Sequence, residues 1–309
     1  MPTRQERLAG GLIGLLVGDA LGVPYEFHEP EQIPPLAQID YTPPAGFSRA
    51  HSSTPPGTWS DDGAQALCLL DSLLQCGAFN PTDFGQRLLR WYRQGYLAVD
   101  GRVFDVGIQT SRALDALYDG ADPLDAGPTE ESALGNGSLM RVLPLALWHR
   151  GPDTSLVADA QTQSRLTHGH LRARVCCALY VLWARRILDD LDNPWEAAVA
   201  TLRALYPSSS PERDEFETNI RPDEPPGGHG TGYVVDALHS ARWAVSQGDY
   251  EAAVRAAIAL GRDTDTTACI AGGIAGLRDG LGAIPQRWRD ALRGQDLYAP
   301  LLDALLAVG

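Results

Sequence analysis

The chain predicts an all-α fold, and three observations carry that reading. Apolar residues recur at helical spacing: Leu8, Leu12, Leu15, Leu16 and Leu21, then Leu67, Leu70, Leu73 and Leu74, then Val234, Leu238, Ala241 and Val245. Alternating runs of β-branched residues, the mark of half-buried strands, are nearly absent. Residues suited to helix starts recur as well: Ser60 before Asp61 and Asp62, Thr82 before Asp83, and Asn193 before Pro194. Each places an oxygen or a proline where first-turn amides lack partners.

At the N-terminus, Arg4 and Arg7 precede the apolar run Leu8 to Val17, a layout shared with secretory signals. Glu6 and Asp19 interrupt that pattern, no small-x-small cleavage site follows cleanly, and the apolar positions fit one face of a helix, so a helix is expected. Glycine and alanine crowd Gly10 to Gly22 and again Ala268 to Gly276. They weaken helix propensity but let backbones approach closely, which places these two helices at the centre of a bundle. Between the helices, Pro24 to Thr58, with paired prolines at 34/35, 43/44 and 55/56, and Tyr206 to Gly230, rich in proline, serine and acids, read as long loops over a site.

The 309 residues, 44% of them hydrophobic, suffice for one large core, and a single domain spanning 1–309 is expected. Five cysteines, with no CxxC pair, suit buried thiols in a reducing, cytoplasmic setting. The net charge of −14 and the lack of lysine and arginine clusters argue against binding to a nucleic acid duplex. Beyond the N-terminal run, no segment is long and apolar enough to span a membrane, and no membrane association is expected.

The chemistry concentrates in two acidic clusters far apart in sequence, Ser60-Asp61-Asp62 and Asp263-Thr264-Asp265-Thr266. Acids at a helix start have an ordinary explanation in the helix dipole. The second cluster, however, runs straight into the apolar, glycine-rich helix Ala268 to Leu277, where carboxylates are costly to bury without a ligand. Together the clusters supply the oxygen donors that hard divalent cations prefer, and sites of several carboxylates can hold two ions. Gly135-Asn136-Gly137-Ser138, ahead of an expected helix Leu139 to His149, is a candidate phosphate loop at a helix N-terminus. His168 and His170, two residues apart, would point away from each other on a helix and do not suggest a shared ion.

Seven segments, in order, resemble the ADP-ribosylglycohydrolase family: Gly14 to Glu26, Thr58 to Asp62, Phe104 to Arg112, Gly135 to Arg141, Ser164 to His168, Gly232 to Leu238 and Gly261 to Thr266. The resemblance implies a single orthogonal helical bundle with two divalent cations, Mg2+ or Mn2+, in a central cleft where the bond between ADP-ribose and its acceptor is hydrolysed. It assigns metal binding to Ser60, Asp61, Asp62, Asp263, Asp265 and Thr266. Catalytic roles fall to Glu26, Asp105 and Asp62; Glu26 matches a mobile glutamate on a flap, and Asp105 a carboxylate near the ribose. Gly135, Asn136, Gly137 and Ser138 would take the diphosphate, with His168 and Tyr233 on the ribose or adenine side.

The implied partner is an ADP-ribosylated protein or an ADP-ribose-containing small molecule. The segments Phe104 to Arg112 and Gly232 to Leu238 lean towards the arginine-type branch, while a small-metabolite hydrolase and a binding-only relative remain as other readings. Three positions depart from the family pattern. Ser60 replaces the usual threonine and keeps the hydroxyl, Gly63 replaces a common threonine, and Arg262 stands where glycine is frequent. A cation at Arg262 is expected either to contact phosphate or to weaken ion binding.

Overall fold

The computed structural model describes residues 1–308, and among these the architecture is all-α, with fourteen α-helices and no strand beyond a single bridge between Gly135 and Tyr233. The helices are α1 (Arg4–Gly22), α2 (Asp61–Cys76), α3 (Pro81–Gln94), α4 (Ile108–Tyr118), α5 (Leu143–Trp148), α6 (Asp153–Arg165) and α7 (Leu171–Leu188). They continue as α8 (Pro194–Leu205), α9 (Pro211–Asp214), α10 (Val234–Val245), α11 (Tyr250–Ala259), α12 (Thr264–Asp279), α13 (Gln286–Ala291) and α14 (Gln295–Val308). One contiguous cluster of buried apolar side chains runs from Leu8 to Leu305.

The expected central pair is α1 and α12. Every residue of α1 from Arg7 to Gly22 is buried, so the helix is enclosed on all sides rather than on one face. By length and composition alone it would pass for a membrane span, but its apolar surface is covered by protein. The contact with α12 is backbone against backbone. A β-carbon at Gly10 would lie 2.2 Å from the Gly276 carbonyl oxygen, one at Gly14 2.4 Å from that of Gly272, and one at Gly18 2.1 Å from that of Ala268. The four-residue glycine spacing on α1 therefore forms a smooth seam into which the other helix is seated.

The helix starts follow capping chemistry, with one change. Ser60 caps α2, accepting a hydrogen bond from the Asp62 amide. At α3 the cap is Asn80, not Thr82, because Pro81 takes the first helical position and Asn80 accepts from Asp83 N–H. Asn193 stands at the start of α8 with Pro194 behind it, but its side chain makes no cap bond.

The two proline-rich segments differ. Residues 24–58 form short 3-10 turns and carry Glu26 and His51 into the central cleft. Residues 206–230 are not a simple loop: they contain α9 and a wide helical turn, Glu215–Ile220, and only the end, His229–Gly230, approaches the acidic cluster. Four of the five cysteines are buried, Cys76 is exposed, and all are free.

Candidate active site

The site is assembled where the N-termini of α2 and α12 meet beside α1. Asp61 and Asp62 occupy the first turn of α2. Asp263 and Asp265 flank the start of α12, with Thr264 pinned to α1 by its hydroxyl donating to the Gly22 carbonyl at 2.8 Å. Gly22 allows this approach, because a β-carbon there would lie 2.3 Å from the Asp265 Cα. Across the gap, the Thr266 hydroxyl lies 3.4 Å from an Asp62 oxygen. Two acidic clusters separated by about two hundred residues in sequence thus share one buried site.

A residue that sequence reading treated only as an interruption holds this arrangement in place. Asp19, fully buried on α1, accepts hydrogen bonds from the amides of Ser60 at 2.9 Å and Gly63 at 2.7 Å. Gly63 is required here: a β-carbon would meet Leu16 at 2.8 Å, Trp59 at 2.9 Å and Asp19 at 3.0 Å. Burial pushes the Asp19 carboxyl up to about 7, tempered by those amide bonds. An Asp19→Asn variant retains at most one of the two contacts, since an amide offers one acceptor and presents N–H groups to the other donor. Manganese affinity and turnover are both expected to fall, by roughly 10–100-fold, as for other residues that orient metal ligands. Calorimetric titration and initial-rate assays check this.

A second buried relay supports Asp61. Gln65 donates to Asp61 at 2.7 Å and accepts from Arg141 at 2.7 Å, while Arg141, itself fully buried, is also held by the side chain and carbonyl of Gln163. The guanidinium stays one residue removed from the acids. Among the described residues, no arginine forms an ion pair with Asp61, Asp62, Asp263 or Asp265.

The consequence is electrostatic frustration. Burial, and then the charges of neighbouring carboxylates, push Asp61, Asp62 and Asp265 well above the usual carboxylate range. The same causes push Glu26 up to about 11. One oxygen each of Asp62 and Asp265 is buried with no hydrogen-bond partner. Oxygens of Glu26, Asp263 and Asp265 come within 4.8 Å of one another. Orphaned carboxylate oxygens in an all-oxygen donor set are what a hard divalent cation satisfies, so the residues present fit the implied metal.

A cavity of about 220 Å3 opens here, its wall including Glu26, Asp61, Asp62, Asp105, Asn136, Asp263 and Thr266, with Ser60 and Asp265 set behind that lining. Asn136 donates to Asp263 at 2.8 Å, tying the glycine loop to the acidic cluster. Gly135, Gly137 and His168 form another part of the wall; a β-carbon on Gly137 would lie 2.7 Å from the His168 ring. Burial holds His168 down at about 3, so the ring is neutral, with Nδ1 2.8 Å from the Thr167 hydroxyl.

Three expectations are corrected. The helix after the glycine loop is α5, beginning at Leu143 rather than Leu139, because Pro144 sits in its first turn; the loop therefore has no helix N-terminus behind it. Ser138 turns into the core, where its hydroxyl contacts Ser164 at 2.8 Å, and it does not line the cavity. Tyr233 stands exposed at the rim, bonded to Arg172, rather than in the wall of the cavity. His168 and His170 lie outside a helix interior, and His170 caps α7 through the Arg172 amide.

Arg262 is engaged outside the acidic cluster. Its side chain leaves the acids, pairing with Glu29 at 2.8 Å and donating to the His229 carbonyl at 2.7 Å. Its backbone adopts a left-handed conformation (φ 61°), and its carbonyl accepts from Phe27 N–H at 2.7 Å. The segment carrying Glu26 is thereby fastened to the loop that leads into Asp263.

His51 was not foreseen. Its Nε2 lies 2.7 Å from Glu26 and 3.7 Å from Asp105, and its ring sits between those of Phe27 and Phe104, with centroids 5.6 and 5.1 Å away. Phe27, His51, Asp105 and Arg262 are all non-glycine residues with left-handed backbones, a concentration of strain at one cleft.

The description of the ADP-ribosylglycohydrolase family matches residues 1–309. The chain belongs to that family. It is 32% identical, over 98% of its length and 81% of the relative's, to the ADP-ribosylarginine hydrolase Tri1 of Pseudomonas putida. It is 26% identical to the ADP-ribosyl-dinitrogen reductase glycohydrolase of Rhodospirillum rubrum, covering 99% of this chain and 98% of that one. A solved structure titled ADP-ribosylglycohydrolase-related protein complex superposes with a TM-score of 0.77 at 36% identity, covering 99% and 97% of the two chains. The enzyme is an ADP-ribosyl glycohydrolase of all-α fold.

Proposed function

We propose that this glycohydrolase removes ADP-ribose from arginine side chains of modified proteins, using two divalent cations, Mg2+ or Mn2+, held by Ser60, Asp61, Asp62, Asp263, Asp265 and Thr266. The observation that carries the metal half of this reading is the pair of buried, unpartnered oxygens on Asp62 and Asp265. The arginine half is supported by the likeness, over 97% or more of this chain and about four-fifths of theirs, to two hydrolases named for that linkage. Bound there, the cations supply Lewis-acid charge that orients oxygen ligands and acidifies water.

The chain's own residues account for the rest. Burial favours the protonated form of Glu26, which suits it to give a proton to the departing guanidine nitrogen. Asp105, half-buried and 3.7 Å from His51, is the second carboxylate at the cleft, placed to accept a proton or to face the positive charge that develops on the ribose. His51 bridges the two and fixes their orientation. Asn136 holds Asp263, and Gly135 and Gly137 line the cavity on the side where the diphosphate would lie. His168, neutral, offers a ring nitrogen to the sugar.

Glu26→Gln and Asp105→Asn should each lower turnover by about 10²–10⁴-fold, the usual contribution of a positioned acid or base, with ADP-ribose affinity little changed. Single-turnover kinetics on an arginine-linked substrate, with calorimetry for ADP-ribose, separate the two quantities. Unchanged turnover in both variants contradicts the assignment.

A further inference from the structure

We propose that the groove beside the catalytic cavity, walled by Phe27, Glu29, Thr231 and Arg262, is the acceptor subsite, and that it reads a planar cation, the guanidinium that leaves with the acceptor. The inference rests on the arginine linkage proposed above and adds the residues that select it. The groove, about 440 Å3, shares Glu26, Gly232 and Asp263 with the catalytic cavity. A bond cut at that shared wall has its two halves on either side. The cavity side carries the glycine loop and His168, suited to a phosphate and sugar; the groove is the space left for the acceptor.

The chemistry of the groove is specific. Phe27 is 70% exposed although it is a large apolar ring, and its backbone is held at φ 63° by the hydrogen bond from its amide to Arg262. A non-glycine residue in that conformation is strained, so the fold maintains the exposed ring against both strain and hydration. The Phe27 ring also begins a row, Phe27, His51 and Phe104, that leads towards Glu26 and Asp105. Glu29 lines the groove at its outer side, away from the catalytic cavity, and Arg262 is its one cation.

Glu29 already binds one guanidinium, that of Arg262 at 2.8 Å. Guanidinium groups stack on aromatic faces while pairing with carboxylates in their plane. A hydroxyl-linked acceptor offers neither the planar face nor the charge.

The test uses full-length enzyme with saturating Mn2+ and an ADP-ribosylated arginine peptide. Phe27→Ala should lower kcat/KM about tenfold, within the range for a stacked cation, and Phe27→Tyr should restore it. The affinity for ADP-ribose, which lacks the acceptor, should be the same in all three proteins, and the exposed position leaves the melting temperature in place. Unchanged kcat/KM in Phe27→Ala, or an equal loss of ADP-ribose affinity, overturns the subsite. If the unsubstituted enzyme itself leaves the arginine peptide intact, the arginine reading fails first and the subsite falls with it; the two failures are thus told apart by the parent protein alone.

Discussion

Asp265→Asn should abolish turnover while making the metal-free protein more stable. The substitution keeps the shape of the side chain and an oxygen for the Thr266 amide, which Asp265 Oδ1 now accepts at 2.8 Å. It removes one negative charge from a buried cluster in which Asp62 and Asp265 each carry an unpartnered oxygen. In the absence of cation that charge is a burden, because burial and the neighbouring carboxylates both disfavour it. Its removal should raise the melting temperature of chelator-treated protein by about 2–4 °C for each kcal/mol relieved.

With Mn2+ or Mg2+ added, the order reverses. The parent protein gains stability by binding, whereas the variant has lost a ligand and gains much less. Turnover should drop by about 10³-fold or more, equivalent to roughly 4 kcal/mol of lost transition-state stabilisation. Thermal melts with and without cation, run beside a rate assay, read both effects. A variant that melts lower than the parent in chelator would mean the carboxylate is a structural partner and not a metal ligand.

The second large effect is at the seam between α1 and α12. Gly18→Ala is favoured by helix propensity alone, which ranks alanine about 1 kcal/mol above glycine in a helix interior. Packing decides the opposite sign. The new β-carbon would lie 2.1 Å from the Ala268 carbonyl oxygen, a backbone atom that cannot rotate away, so the two central helices must separate. Overpacking of this kind costs about 1–3 kcal/mol or more, and Gly18→Ala should fall at the upper end.

Gly22→Ala, at the other end of the same seam, should add a functional loss. Its β-carbon would meet Asp265 Cα at 2.3 Å and the Thr264 carbonyl at 2.4 Å, so any relaxation displaces the start of α12 and the carboxylates on it. Urea unfolding measures the first effect. Turnover at a temperature where both variants remain folded isolates the second.

The seam was legible because its signal is local. Glycines four apart in an apolar run announce a close helix contact, and the same contact explains why α1 reads like a leader or a membrane span when taken alone. The acidic clusters were legible for a related reason: carboxylates next to an apolar helix need a partner, and the one adjacent cation, Arg262, turns to Glu29 instead. The order of the site along the chain could be read from residue types even though the two halves are far apart.

Asp19 and His51 were not legible, and the causes differ. Asp19 lies inside the apolar run of α1, where a single acid looks like an interruption; its purpose appears only once the amides of Ser60 and Gly63 are brought to it. His51 lies among prolines in a segment without periodicity, and its contacts with Glu26 and Asp105 depend on left-handed backbones at Phe27, His51 and Asp105 that no pattern specifies. Ser138 and the start of α5 misled for a third reason. A glycine-rich tetrapeptide before apolar residues resembles a helix start, but Pro144 sets the start later and the intervening turn directs the serine inward.

Cleavage of arginine-linked ADP-ribose is proposed to depend on divalent cations held by the buried carboxylates. The most direct test of that dependence is ADP-ribose release from an arginine-linked substrate by enzyme first stripped with chelator and then given Mg2+ or Mn2+, beside an Asp61→Ala/Asp265→Ala double variant. The expected result is no release from the stripped enzyme, recovery on adding either cation, and no recovery in the double variant. Release that survives chelation, or that persists in the double variant, would contradict it.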